Sequence, residues 1–155
     1  GRSFQVMMLD LDDFKLVNDT FGHKVGDKML REVALIIQGQ LREYDFLARY
    51  AGDEFVAVVQ ELVGTQVEEL RSRIETAVAK FSLHVRGDKR ARVGISIGTA
   101  TYNIDGETLD QLLVAADQAM YCVKSSHKNE KLTAEEPGPV VPNLDKGDLT
   151  SVSVN

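Results

Sequence analysis

DFLARYAGDEFVAVVQ, residues 45–60, is the stretch on which the fold turns. Runs rich in apolar residues at 46–50 and 55–59 flank Ala51, Gly52, Asp53 and Glu54. Runs of that length around a glycine read as a hairpin with a tight turn at Ala51-Gly52. A type II-like turn asks for positive φ only at its second central residue, which Gly52 supplies, so Ala51 precedes it without entering the left-handed region. The turn carries two adjacent carboxylates at its tip, where they add nothing to packing.

Upstream, FQVMMLD (4–10) is an apolar run of buried-strand length that ends in a carboxylate. DDFKLVNDTFGH (12–23) reads as a short helix followed by a turn at Gly22. Val25, Met29, Val33, Ile36, Ile37 and Leu41 recur at the spacing of an amphipathic helix. Downstream, Thr65 with Glu68 makes a capping-box pattern ahead of the helical stripe Val67, Leu70, Ile74, Ala77, Val78 and Phe81. Residues 82–102 read as a second hairpin turning at Gly87-Asp88, with Val93, Ile95 and Ile97 alternating. Leu109, Leu112, Leu113, Ala116, Met120 and Val123 mark a last long helix, and a short strand is expected around Lys131-Leu132. The expected order is β-α-α-β-β-α-β-β-α-(β), an α/β chain of the α+β kind with a central, mainly antiparallel sheet flanked by helices. Helices covering one face of that sheet would bury these stripes. The domain is expected over residues 1–134. All three prolines, Pro137, Pro139 and Pro142, fall in the remaining 135–155, a stretch without helical or strand period that reads as a tail.

A chain of 155 residues is long enough for one domain with a sizeable core. Its 43% hydrophobic and 27% charged residues are those of an ordinary soluble globule. A net charge of −6 argues against a general nucleic-acid or membrane-surface binder, so a phosphate ligand must be met by local cations or by metal. The single cysteine, Cys122, excludes an internal disulfide framework and suits a reducing cytosol; amid an apolar helix face it is expected in the core. No apolar run approaches the roughly 20 residues that span a bilayer, and the chain opens on a strand-like segment, as a fragment of a longer protein would.

If the first strand and the hairpin are neighbours, Asp10, Asp53 and Glu54 crowd one edge of the sheet. Like charges at such range disfavour ionisation, and a divalent cation resolves the conflict. Oxygen donors without a Cys/His cluster suit Mg²⁺ or Mn²⁺ rather than zinc. An acidic, solvated turn is the alternative reading of the same residues.

LDLDDFKLVNDTFGHKVGD (9–27), RYAGDEF (49–55), VGISIGTA (93–100) and AADQAMYCVKSSHKN (115–129) follow one another in the order and spacing of the GGDEF family, the diguanylate cyclases, which this chain resembles over about residues 4–132. The resemblance implies a fold like the palm of nucleotidyl cyclases and polymerases, and an activity that joins two GTP molecules into cyclic di-GMP. It implies that Asp10, the Leu11 carbonyl, Asp53 and Glu54 hold Mg²⁺ or Mn²⁺. Glu54 either ligates a second metal or helps activate the 3′-hydroxyl. It further implies that Asn18 and Asp27 read the guanine edge, that Gly52 lets substrate approach the backbone, and that Lys15, Lys124 and Lys128 contact phosphates. A carboxylate suits guanine because N1 and N2 both donate, and Lys124 and Lys128 share a helix face as i,i+4 partners. From the residues alone, the lysines are solvated side chains, Asn18 and Asp27 are helix caps, and His23 is a structural hydrogen-bonder.

Arg42-x-x-Asp45 stands five residues before Ala51, the spacing at which the family binds cyclic di-GMP as an inhibitor, with Arg73 a third contributor; without the resemblance it is a surface ion pair. Three departures stand out. Ala51 replaces a glycine, SSHKN (125–129) replaces a glycine-arginine pattern, and the family's segment ahead of the first strand is not in this chain. The partners implied are GTP, the product, a second copy in a transient two-fold dimer, no nucleic acid, and an upstream sensor domain. The implied location is a bacterial cytoplasm, with membrane anchoring open for a longer protein. Two other readings are a catalytically silent receptor for GTP or cyclic di-GMP, which Ala51 favours, and a cyclase making adenine-containing dinucleotides, against which Asp27 argues.

Overall fold

The computed structural model describes residues 2–135. Phe4–Asp12 form β1, the apolar run expected to be a buried strand. Its parity divides the molecule, because successive side chains on a strand leave opposite faces. Met7, Leu9 and Leu11 enter one core cluster and Val6 and Met8 another. The chain continues through α1 (Phe14–Phe21), α2 (His23–Gln40), β2 (Phe46–Ala51), β3 (Glu54–Gln60), α3 (Thr65–Lys80), β4 (Leu83–Arg86), β5 (Lys89–Ala91), β6 (Gly94–Thr101) and α4 (Leu109–Glu135). The main sheet has the order β2-β3-β1-β6, and every neighbouring pair is antiparallel.

Helices cover both faces of this sheet, not the one expected. The apolar stripes of α1, α2 and α3, including Val17, Met29, Val33, Ile37, Leu70 and Ile74, pack with Met7, Leu9 and Leu11. Leu112, Ala116 and Met120 of α4 pack with Val6, Met8, Val56 and Ala100 on the other side. The reason lies in β1 itself: it is apolar at both parities, so it needs two covers. The α4 backbone comes close to β6, since a Cβ on Gly98 would lie 2.1 Å from the Met120 nitrogen and 2.2 Å from the Ala116 carbonyl oxygen. Only glycine fits there.

Other expectations are corrected. The second hairpin is a separate two-stranded sheet of β4 and β5, and the strand that joins the main sheet starts afresh at Gly94. Ala91, Val93, Ile95 and Ile97 alternate without a break and all are buried, so period 2 passes unmarked over the junction. No strand forms at Lys131-Leu132, because α4 continues through Glu135. That helix also crosses the expected domain boundary after residue 134, while residues 136–155 of the expected tail lie outside the described residues. Thr65 is the first helical residue of α3 and Gly64 the cap, so no side chain caps it; Gln66 instead accepts from the Val63 N–H at 3.2 Å. Cys122 is exposed rather than in the core, because the buried stripe of α4 runs through Ala116 and Met120. Among the described residues no helix is long and apolar enough to cross a membrane.

Candidate active site

On the α4 side of β1 the even positions run Val6, Met8, Asp10, Asp12, so the strand turns from apolar to acidic along its length. The face of α4 opposite turns in step. Its apolar residues meet Val6 and Met8, after which Lys124 meets Asp10 and His127 meets Asp12. Pairing with β3 brings Asp10 opposite Glu54, and the Leu11 N–H donates to the Asp53 carbonyl at 3.2 Å. The three acids of the sequence reading therefore do share one end of the sheet.

The turn between β2 and β3 is one residue further on than expected. Ala51 pairs with Glu54 after a register shift following Arg49, which leaves Gly52-Asp53 as a two-residue loop. Gly52 has φ 50°, and Ala51 is not among the residues with positive φ. Positive φ at the first loop residue alone is the II′ pattern, whose twist matches the flanking strands. Alanine at 51 is unstrained. Arg49 Nε donates to the Gly52 carbonyl at 2.7 Å and ties the loop to β2.

Electrostatically this end is short of positive charge. Burial pushes the Asp10 carboxyl above its ordinary value; the hydrogen bond from Lys124 offsets part of this, and the Asp53 charge adds to it. Burial also raises Glu54, helped by the charges of Asp10, Asp117 and Asp53. Lys124 Nζ donates to Asp10 Oδ2 at 2.7 Å and to the Leu11 carbonyl at 3.3 Å. Lys124, expected on phosphate, thus lies on two of the oxygens expected to hold metal. Among the described residues no three Asp, Glu, His or Cys side chains converge as a metal cage. The donor set nevertheless suits a hard cation: among the described residues Asp10 Oδ1 is buried without a hydrogen-bond partner, and hard oxygen donors are what Mg²⁺ or Mn²⁺ prefers.

Lys124, the partner of Asp10, also lines a cavity of about 480 Å³ with His127, Lys128 and Lys131 together with Asp12, Asp13, Gly94 and Glu130. A second cavity, of about 450 Å³, lies between α2 and β2 and includes Asp27, Arg31, Gln38, Arg49 and Phe55. On the far side, Arg42 and Asp45 close on each other. Asp45 Oδ2 accepts from the Arg42 backbone N–H at 2.8 Å and from Arg42 Nε at 3.2 Å. Its Oδ1 accepts from Arg42 Nη2 and from the Gln60 N–H, both at 3.3 Å. Arg42 Nη2 also donates to the Gln60 carbonyl, and the guanidinium lies 4.6 Å from the Tyr44 ring centre. Burial raises Asp45, but the Arg42 side chain and two backbone N–H groups outweigh it and hold the carboxyl below its ordinary value. Arg73 joins Arg42 and Asp45 around a cavity of about 240 Å³.

Residues 1–130 match the family model described as diguanylate cyclase, GGDEF domain. The chain belongs to the GGDEF family of diguanylate cyclase domains. It is 37% identical over 128 residues to diguanylate cyclase A of Treponema denticola, covering 83% of this chain and 34% of that protein. The chain therefore spans about a third of that relative's length. Among solved structures, the GGDEF domain of YfiN (TpbB) from Pseudomonas aeruginosa superposes with a TM-score of 0.76 at 33% identity, over 81% of this chain and 78% of that one. The GGDEF domain of DgcB from Caulobacter crescentus, in complex with c-di-GMP, gives a TM-score of 0.76 at 30% identity, over 81% and 74%.

In this GGDEF domain the residues matched to guanine are not caps. Asn18 lies inside α1 and Asp27 inside α2, away from the cap positions Asp13, Gly22 and Leu41. Asn18 Oδ1 is buried against Gly26 of α2 without a partner among the described residues, whereas Asp27 is exposed on its cavity wall. Lys15 is exposed on α1 and lines neither this cavity nor the lysine-lined one. His23 is exposed at the start of α2, and no hydrogen bond to its ring occurs among the described residues. Reading the sequence missed Arg49, Arg31, Asp12, Ser96 and His127. Asp12 and His127 had a visible signal: Asp12 shares the parity of Asp10, and His127 is three residues past Lys124 on a helix.

Proposed function

We propose that this GGDEF domain condenses two GTP molecules into cyclic di-GMP. Each 3′-oxygen displaces pyrophosphate from the α-phosphorus of the other nucleotide. The observation that carries the reading is Asp10: a buried carboxylate opposite Glu54, with one oxygen unpartnered among the described residues and the other on Lys124, which itself lines the lysine-lined cavity. Asp10, the Leu11 carbonyl and Asp53 would hold Mg²⁺ or Mn²⁺, which when bound neutralises triphosphate charge. Glu54, raised by burial and by its acidic neighbours, either joins them on a second metal or takes the 3′-hydroxyl proton. Lys128, Lys15 and a Lys124 released from Asp10 meet the phosphates, and the Gly52 backbone leaves them room. Asn18 donates and accepts, and Asp27 accepts, along the guanine edge.

One domain offers one such site, so ring closure needs two copies facing each other with two-fold symmetry, brought together by an upstream sensor region in a bacterial cytoplasm. The catalytic unit runs through the end of α4 at Glu135. Cyclic di-GMP binds at Arg42, Asp45 and Arg73 and inhibits; Arg42 reaches it by giving up its contact with the Gln60 carbonyl. The deciding experiment is pyrophosphate release from GTP with Mg²⁺. The native chain turns over slowly, faster per chain at higher protein concentration, and Asp53→Ala does not turn over. Nucleotide binding without pyrophosphate release, even in an artificially dimerised chain, would replace this reading with that of a silent receptor.

A further inference from the structure

The apolar contact face of α4 ends at Met120, the last α4 residue in the buried cluster. Beyond it the helix is held to the end of β1 by three polar rungs at i, i+3 and i+7: Lys124 on Asp10, His127 on Asp12 and Lys131 on Asp13. The rungs are not equivalent. Lys131 and Asp13 are both exposed, and such pairs contribute little. Lys124 is a long chain on an oxygen pair that substrate chemistry requires, so its contact is one to be given up.

The middle rung differs in kind. His127 Nδ1 lies 2.9 Å from Asp12 Oδ2 and 3.0 Å from Ser96 Oγ, and Ser96 Oγ donates to Asp12 Oδ1 at 2.7 Å. An ionised carboxylate only accepts, so Nδ1 carries the proton and donates into the pair. A short, stiff imidazole thereby ties α4 to two strands, β1 and β6, at once. These three residues are not a nucleophilic triad: Ser96 is fully buried and its proton is committed to Asp12. His127 falls in the SSHKN stretch that departs from the glycine-arginine pattern of the resemblance.

We propose that His127 is a positioning residue which, through Asp12 and Ser96, fixes the stretch of α4 that carries Lys124 and Lys128 and so sets affinity for the nucleotide triphosphate. The inference rests on the cyclase reading. When Lys124 leaves Asp10 for phosphate, His127 is what keeps the helix in place. Removing it leaves the carboxylates intact, so ground-state binding suffers more than the chemical step.

The test compares the full 155-residue chain with His127→Ala and His127→Asn. GTP turnover, affinity for a GTP analogue with methylene between the α and β phosphates, and amide hydrogen exchange over residues 121–131 are measured. His127→Ala should raise KM and the analogue Kd roughly fivefold to tenfold, the scale of one ordinary intramolecular hydrogen bond, and speed exchange in that stretch. Its kcat should change less than about twofold. Asparagine places a donor near the Nδ1 position and should recover most of the loss, although it is a poorer helix former than alanine. Asparagine behaving worse than alanine would show that helix propensity, not the donor, sets the effect. Native affinity and native exchange in His127→Ala would overturn the proposal alone. A native chain that binds neither nucleotide would overturn the cyclase reading, and with it this role for His127.

Discussion

Asp10 and Asp45 are both nearly buried, 7% and 9% exposed, and each has one basic side chain at ion-pair distance. Their proton affinities nevertheless move in opposite directions, Asp10 upward and Asp45 downward. Burial pushes both upward, so the difference lies in what answers it. Asp45 has both oxygens occupied, by a guanidinium fork and two backbone N–H groups. Asp10 has one ammonium on Oδ2 and, among the described residues, nothing on Oδ1, with Asp53 and Asp12 adding like charge. Asp45 is a completed ion pair that a fold can rest on. Asp10 is a carboxylate held short of donors, which costs stability and suits it to an incoming cation.

The largest effect should come from neutralising Asp10 at nearly constant shape. Asp10→Asn is expected to lower pyrophosphate release at least about a hundredfold, the scale of losing one preorganised electrostatic contact. Its metal-free thermal stability should stay level or rise by up to about 1 kcal/mol, because a desolvated and under-compensated charge has gone. Activity and stability falling together would make Asp10 as much a structural residue as Asp45, and the contrast would fail.

The converse substitution is next in size. Asp45→Ala leaves the Gln60 and Arg42 N–H groups and the Arg42 guanidinium without their shared acceptor. The expected cost is about 2–3 kcal/mol in urea unfolding, at the low end for a broken buried pair because the Arg42 side chain is 36% exposed. GTP turnover per folded chain should stay near native. A loss under about 0.5 kcal/mol would return Arg42-x-x-Asp45 to the surface ion pair that its spacing alone suggests.

What could be read beforehand follows the range of the physics involved. The hairpin, the long helices and the acid-ended strand announce themselves through local period and turn chemistry, and Asp10 beside Glu54 follows once those strands pair. The break before Gly94 is silent because the alternation of buried residues runs through it. The second covered face was missed because the stripe of α4 does not say which side of the sheet it meets. The difference between Asp10 and Asp45 is equally hidden: it depends on whether distant N–H groups and an ammonium reach a given oxygen. Arg42-x-x-Asp45 is visible as a motif, but its closure on Gln60 is a tertiary fact. The role of His127 is hidden in the sequence, since Asp12 and Ser96 are 115 and 31 residues away in the chain.

The smallest expected effect tests the opposite shifts within one titration. The Asp10 and Glu54 carboxyls bind protons more tightly in the folded chain than at their ordinary values of 3.8 and 4.5. The folded state therefore takes up protons first on acidification, and stability rises as pH falls from neutrality towards that range. Asp45 acts with the other sign. Its folded carboxyl holds its proton less tightly than the ordinary 3.8, so its contribution is full above that value and lost as pH falls through the lower, folded one. Metal-free melting temperature should accordingly pass through a maximum on the acid side of neutrality, just above the ordinary carboxylate values. The rise into it should be worth less than about 1 kcal/mol, because solvent screens Glu54. Asp10→Asn should flatten the limb between neutrality and the maximum while leaving the acid collapse in place, and Asp45→Asn should blunt the acid collapse alone. Millimolar Mg²⁺ should flatten the same limb as Asp10→Asn, because a cation that keeps Asp10 and Glu54 ionised removes their reason to take up protons. A profile that Mg²⁺ leaves unchanged would mean that Lys124 already completes the site, and that Asp10 differs from Asp45 in degree only.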